Sequence, residues 1–346
     1  MVRRSRKSGG KKSSGAAGTL LVLFLVVIGA GGVAAWLVFT PYGPETETFV
    51  EVAPGTPAAR IGRELEAAGI VRSRYAFDLV RMYRHGTLKA GEYSFDHPMT
   101  VLDVYEKIHR GDVYTKTLVV PEGANIFDVA ARFEEAGFGT AREFLEQGAS
   151  ATKLIADLDP GARTLEGYLF PDTYRFPRTA TAQQVAAAMV KQFRVEAEQI
   201  GLKENVHAVV TMASLVERET ALDTERPLVA SVFENRLDKK MPLMTDPSVI
   251  YGLEVRKLWR GTIYASDLRR DTPYNTYLHA GLPPGPIANP GLRSLRAAMH
   301  PAQTDYLYFV AAGNNPQGRS MFASTLEEHQ RNVQGYRQAM KKAGTQ

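Results

Sequence analysis

The sequence predicts an α+β protein carried on a single N-terminal transmembrane helix. Three observations lead there. Ser13 to Pro44 runs 32 residues without a charged side chain. Two later stretches repeat one strand–turn–helix pattern at an offset of 68 residues. Beyond them, helical periods of 3.6 are interspersed with short apolar strands and one proline-rich loop, which is the texture of an α+β domain.

Within the charge-free stretch, residues 19–39 (TLLVLFLVVIGAGGVAAWLVF) are all apolar or small, enough for a helix to span a bilayer's hydrocarbon core. Arg3, Arg4, Arg6, Lys7, Lys11 and Lys12 precede it. A basic tail over residues 1–18 places the N-terminus in the cytoplasm and the remainder outside. Trp36, Phe39 and Tyr42 fall where aromatic rings favour the outer interface. A cleaved signal peptide would have a shorter apolar region followed by a small-x-small site, and neither is present. The net charge of +5 comes from the tail: without those six cations, 36 basic side chains face 37 acidic ones. The charge is therefore no argument for nucleic acid binding. The chain has no cysteine, which excludes disulfides, thiolate metal sites and cysteine nucleophiles.

Residues 40–48 form a linker rich in Pro, Gly and Glu, and residues 49–120 a small module. Val52-Ala-Pro-Gly55 precedes the helical spacing of Ile61 and Leu65 and the stop at Ala68-Gly69. Val120-Pro-Glu-Gly123 precedes Val129, Phe133 and Ala136-Gly137 in the same way. Each copy reads as strand, Gly turn, amphipathic helix and Gly stop, then a second short helix around 75–84 or 141–147. A strand over 89–95, a helix over 101–110 and a strand over 114–120 lie between them. This β-α-α-β texture suits a spacer or a polymer-binding module, and sequence leaves both open.

Residues 121–346 form the main domain. Residues 165–174 (LEGYLFPDTY) are dense in aromatics, as a carbohydrate surface or a packed turn would be. Thr181 is a candidate N-cap for a helix reaching Ile200. The next helix offers a candidate acid. Ala208, Met212, Leu215 and Glu219 fall on one face, so an apolar stripe ends on a carboxylate, while Glu217 points elsewhere. Desolvation raises a carboxyl pKa, and a carboxyl protonated near neutrality is a general acid. A surface charge or a capping residue would look the same at this point. A helix over 225–237 follows, and then Thr245-Asp246-Pro247-Ser248 as a turn that caps the next element. Residues 273–291 (PYNTYLHAGLPPGPIANPG) carry five prolines and three glycines, predicting a long rigid loop. Its Tyr274, Asn275 and Tyr277 offer stacking faces and an amide suited to a sugar chain, or simply pack within the loop. A helix over 292–299, a hairpin of strands 306–311 and 320–323 turning at 313–318, and a helix over 325–342 close the chain.

The seven histidines lack zinc-site spacing, and no G-x-S-x-G elbow or phosphate-binding loop occurs, so no metal or cofactor is expected. Carboxylate chemistry remains. A two-carboxylate glycosidase needs a second acid, and no spacing singles out Asp223, Glu225 or Asp246. Lytic cleavage of peptidoglycan needs one carboxyl, because the sugar's own C6 hydroxyl attacks its anomeric carbon.

The segments ASLVERET (213–220), VASVFENRL (229–237), MTDPSVIYG (244–252), YNTYLHAGLPPGPIANPG (274–291), HPAQTDYLYFV (300–310) and LEGYLFPDTY (165–174) resemble the endolytic murein transglycosylase (YceG-like) family over essentially the whole chain. The resemblance implies a single-pass inner-membrane lyase with a LysM-like module and a catalytic domain. Such an enzyme cuts nascent glycan strands at the MurNAc–GlcNAc β-1,4 bond, leaves 1,6-anhydro-MurNAc ends and limits strand length, with penicillin-binding synthases as partners. It implies Glu219, followed by Thr220, as the acid/base. On the residue reading, Thr245 and Asp246 are expected to orient Glu219 or substrate, and Tyr274, Asn275 and Tyr277 to position the strand. The family pattern has Gln where this chain has Met244. The alternative is a non-catalytic wall-binding scaffold for the synthases, for which Glu219→Gln leaves function intact.

Overall fold

The structure is a computed structural model that describes residues 14–312 and 318–343. The basic residues of the tail and most of the expected turn at 313–318 lie outside the described residues. The chain divides between Thr115 and Lys116 into two compact units.

In the first unit, α1 (Ser14–Phe39) contains a 22-residue apolar span, Gly18–Phe39, long enough to cross a membrane. β1 (Thr48–Val52) leads to α2 (Ala58–Ala67) and α3 (Arg74–Arg84). β2 (Gly91–Phe95) then returns antiparallel to β1, with Val50 opposite Tyr93, and α4 (Val101–Arg110) follows. The order β-α-α-β therefore closes on its own two-stranded sheet. Its core packs Leu65, Phe77, Tyr93, Val104 and Ile108, and Val38 at the end of α1 is part of that core. The helix ends follow local chemistry. Thr100 caps α4 through the Asp103 N–H, and Ser73 caps α3 through the Tyr75 N–H.

The second unit begins with β3 (Lys116–Val119), which the sequence reading placed at the end of the first module. Its hydrogen-bonding partner is β4 (Thr173–Phe176), with Leu118 opposite Tyr174, so it belongs to the second unit. Between these strands lie α5 (Ile126–Glu135) and the single turn α6 (Ala141–Glu143), which runs into a wide turn over Phe144–Gly148. The repeat thus recurs as a second β-α-α-β unit closed after a longer insertion. Gly55 and Gly123 occupy equivalent turns at φ 78° and 77°, and Gly69 and Gly137 stop the equivalent helices at 70° and 71°.

The insertion carries residues 165–174, and these are not an open carbohydrate surface. Leu165, Tyr168 and Leu169 are buried in the core around Phe193. The Tyr168 hydroxyl donates to Asp159, and that of Tyr174 to the Phe170 carbonyl. The packed-turn alternative holds.

α7 (Ala182–Gln199) starts at the Thr181 cap, with Gln184 completing a reciprocal capping pair. α8 (Val206–Glu219), α9 (Arg226–Asp238), α10 (Asp246–Val255) and α11 (Leu292–Met299) enclose a further core of Leu215, Val216, Val229, Phe233 and Tyr251. β5 (Tyr308–Ala311) and β6 (Ser320–Ala323) pair antiparallel, and α12 (Leu326–Ala343) packs on them. Residues 273–291 form neither helix nor strand. Side chains and backbone groups hold them: Ser214 Oγ accepts from the Ile287 N–H at 3.0 Å, and the Asn289 amide donates to the Ala124 carbonyl at 2.8 Å.

Candidate active site

Two glutamates at the end of α8 have opposite fates. Glu217 is 5% exposed and paired with the equally buried Arg226, Oε2 to Nη1 at 2.7 Å. The same oxygen accepts from the Gly291 N–H at 2.9 Å, tying the proline-rich loop to α8. Glu219 is half-buried and lines a cleft of about 490 Å³. Phe233, Arg236, Leu243, Tyr308 and His329 form much of the wall.

Burial raises the Glu219 pKa to about 7, and the nearby negative charge of Asp246 pushes the same way. A hydrogen bond from Thr245 and the cations of Arg236 and Arg218 oppose the shift. The balance leaves a carboxyl that can give up and regain a proton near neutrality.

Thr245 and Asp246 reach this place through the cap of α10. Thr245 is buried, its Oγ1 accepting from the Ser248 N–H at 3.4 Å and its own N–H donating to Thr276 Oγ1 at 3.0 Å. Asp246 opens the helix, where a carboxylate meets the positive end of the dipole. The Tyr277 hydroxyl donates to Asp246 Oδ1 at 2.6 Å, and both residues line the cleft. Met244 lines it too, half exposed and held at φ 55°, a left-handed conformation that costs a side-chain-bearing residue energy.

The other two loop residues do not join this group. Asn275 is fully buried. Its amide donates to the Leu268 and Arg270 carbonyls at 3.0 and 2.8 Å, and its Oδ1 accepts from the Tyr277 N–H at 3.0 Å. Both side-chain polar atoms of Asn275 are thus engaged within residues 268–277 and turned away from the cleft. Tyr274 packs edge-on against Tyr251 at 4.9 Å and lines a different cavity of about 500 Å³, together with Glu166 and His207. Glu166 there is 2% exposed, and burial raises its pKa to about 8.

Sequence reasoning missed Arg236 and His329. Arg236 donates from Nε to the Leu307 carbonyl at 2.7 Å and from Nη1 to the Leu243 carbonyl at 2.8 Å, and its guanidinium lies over the Tyr308 ring. His329 stacks on Tyr308 at 5.1 Å. Among the described residues nothing bonds its buried Nδ1, and burial with the Arg236 charge lowers its pKa. A signal for Arg236 existed. Val229, Val232, Phe233 and Arg236 share one face of α9, an apolar stripe ending on a charge, as on α8.

Comparison with known proteins agrees with this architecture. The model of the YceG-like family matches residues 50–335. The chain belongs to the YceG-like family. A protein of Bacillus subtilis (strain 168) named endolytic murein transglycosylase is 35% identical to this YceG-like chain over 323 residues, covering 84% of this chain and 85% of that protein. One of the same name from Streptococcus pneumoniae (strain ATCC BAA-255 / R6) is 32% identical over 355 residues, 90% of this chain. The YceG-like chain spans 63% of that longer protein. The crystal structure of a putative yceG-like protein from Listeria monocytogenes superposes with a TM-score of 0.54 at 32% identity, over 83% of this chain and 99% of that one.

Proposed function

We propose that this YceG-like protein is an endolytic murein transglycosylase, a lyase that cuts peptidoglycan glycan strands without water, with Glu219 as its acid/base. The observation that carries the reading is a half-buried carboxyl in a cleft, with a pKa raised to about 7. The shared name of the bacillary and pneumococcal relatives supports the substrate class.

In this mechanism protonated Glu219 gives its proton to the oxygen linking MurNAc C1 to the next GlcNAc. The C1–O bond breaks with its electron pair on that oxygen, and positive charge develops at C1 and the ring oxygen. The same MurNAc's C6 hydroxyl attacks C1 and passes its proton to the Glu219 carboxylate. The products are a 1,6-anhydro-MurNAc end and a free GlcNAc 4-hydroxyl, and the enzyme is restored. Thr245 holds the carboxylate between the two transfers. The Asp246–Tyr277 pair places negative charge on the cleft wall, where it favours both the neutral acid and the cationic sugar. α1 anchors the enzyme with the two folded units outside the cytoplasm, and the β-α-α-β order of the first unit supports its reading as a LysM-like module.

The test incubates the full-length protein in detergent with purified glycan strands and analyses the products by mass spectrometry. Anhydro-ended fragments from the wild type, absent with Glu219→Gln, are expected. Reducing ends in their place would mean hydrolysis, and intact strands would favour the scaffold.

A further inference from the structure

The first unit exposes an apolar stripe that its own fold leaves uncovered. On α3, Ala76, Phe77 and Val80 face the core. Tyr75, Leu79, Met82 and Tyr83 stand at positions i, i+4, i+7 and i+8, on an adjoining face, and are 68%, 50%, 62% and 82% exposed. Four large apolar or aromatic side chains in one stripe on an 11-residue helix form a contiguous patch of the kind that marks an interaction surface.

Its position identifies the occupant. α3 and α4 both pack on α1. An apolar groove of about 480 Å³ is lined on one side by Ala34, Val38 and Phe39 of α1 and on the other by Leu79 and Tyr83 of α3. Ala34 lies five residues inside the apolar span, about 7 Å below its end at 1.5 Å per residue. A side chain that shares a groove with Ala34 shares its depth. If α1 crosses the bilayer, Leu79 and Tyr83 stand level with the margin of the hydrocarbon and not in water. The surroundings fit that level. The Arg72 guanidinium lies 4.6 Å from the ring centres of both Trp36 and Tyr42, and that of Arg74 lies 4.7 Å from the Tyr75 ring. Arginine and aromatic side chains at one height are the signature of a headgroup layer.

We propose that α3 is an interfacial helix: its Tyr75–Leu79–Met82–Tyr83 stripe inserts into the lipid leaflet where α1 ends, and acyl chains fill the groove between α3 and α1. The first unit is thereby held against the membrane surface by two elements, not hung from one flexible stem. The proposal rests on reading α1 as a membrane span.

Because the chain has no cysteine, single-cysteine variants of the full-length protein report one position each. Leu79→Cys, Tyr83→Cys, Val27→Cys and Glu51→Cys are labelled with an environment-sensitive fluorophore. Each is placed, at one copy and separately at two copies per disc, in phosphatidylcholine–phosphatidylglycerol nanodiscs containing no other protein. All four residues are exposed on the protein, so none tests core folding. Exchange for lipids brominated along the acyl chain should cause loss of emission at 79 and 83, as at 27 within the span, and none at 51. Emission retained at 79 and 83 but lost at 27 overturns the interfacial helix and leaves the anchor standing. Emission retained at 27 as well overturns both. Label–label quenching at 79 and 83 that needs two copies per disc, with no quenching by brominated lipid, assigns the stripe to a second copy and overturns the lipid assignment.

Discussion

The Glu217 carboxylate sits 2.7 Å from the Arg226 guanidinium with both side chains 5% exposed, two residues before the carboxyl that faces the cleft. Removing one partner strands the other charge in the interior, which costs about 3–5 kcal/mol. Glu217→Gln should therefore lower the stability measured by denaturant unfolding by that order. Glu219→Gln should leave the fold intact and lower turnover of glycan strands by about 100- to 10,000-fold, the usual scale of general acid–base catalysis. If Glu217→Gln were stable and inactive while Glu219→Gln kept its activity, the assignment would pass to the other residue.

The raised pKa of Glu219 sets a pH signature. The unfolded chain releases this proton near the ordinary 4.5 and the folded one near about 7. Between those values the folded state binds more protons. The carboxyl's contribution to stability is therefore complete below 4.5 and declines as pH rises through about 7. Thermal melts of Glu219→Gln should show a shallower loss of stability over this window than wild type. Activity that needs the protonated acid should fall as pH rises through about 7. Glu166, raised to about 8 by burial, adds a second slope of the same sign that Glu219→Gln leaves in place.

Tyr277 meets Asp246 through one hydroxyl, 2.6 Å from Oδ1. Tyr277→Phe keeps the ring and removes that bond, so it should reduce turnover by about 10- to 100-fold, the scale of one hydrogen bond to a charge. The melting temperature should hardly move.

Asn275 should behave in the opposite way. Its amide closes the loop on itself through the Leu268 and Arg270 carbonyls and the Tyr277 N–H. Asn275→Ala leaves these groups without their partner and should cost about 2–3 kcal/mol of unfolding free energy. KM for glycan strands should change little in the fraction that stays folded. A large KM effect with unchanged stability would return Asn275 to the binding surface.

Periodicity made most helices legible. The helix over 101–110, the strand over 320–323 and the helix over 292–299 lie where the spacing places them. The internal repeat was visible as well, since a turn that needs positive φ keeps its glycine: Gly55 and Gly123 mark equivalent corners. Strand partnership was less visible. Nothing local in Lys116–Val119 says that its mate is Thr173–Phe176, so the division of the chain fell a few residues late. At the cleft, the α8 stripe points to Glu219 because one helix face can be counted along one segment. Asn275 and Tyr274 could not be placed by composition, because whether a loop amide turns inward depends on which carbonyls the folded loop brings near. His329 comes from a distant helix, and its approach to Tyr308 is a matter of tertiary packing alone.

The two equivalent corners of the repeat have acquired different employment. At Gly55 a methyl group would meet open space; at Gly123 it would press within 3.5 Å of Glu217 and 3.7 Å of Arg218, whose Nη1 also donates to the Gly123 carbonyl at 3.1 Å. The copied corner has become a buttress under the last turn of α8. Alanine at either place pays the same backbone penalty, yet only at 123 would the added methyl press on the last turn of α8. One copy of the duplicated turn thus props the end of α8, while its twin at Gly55 faces open space.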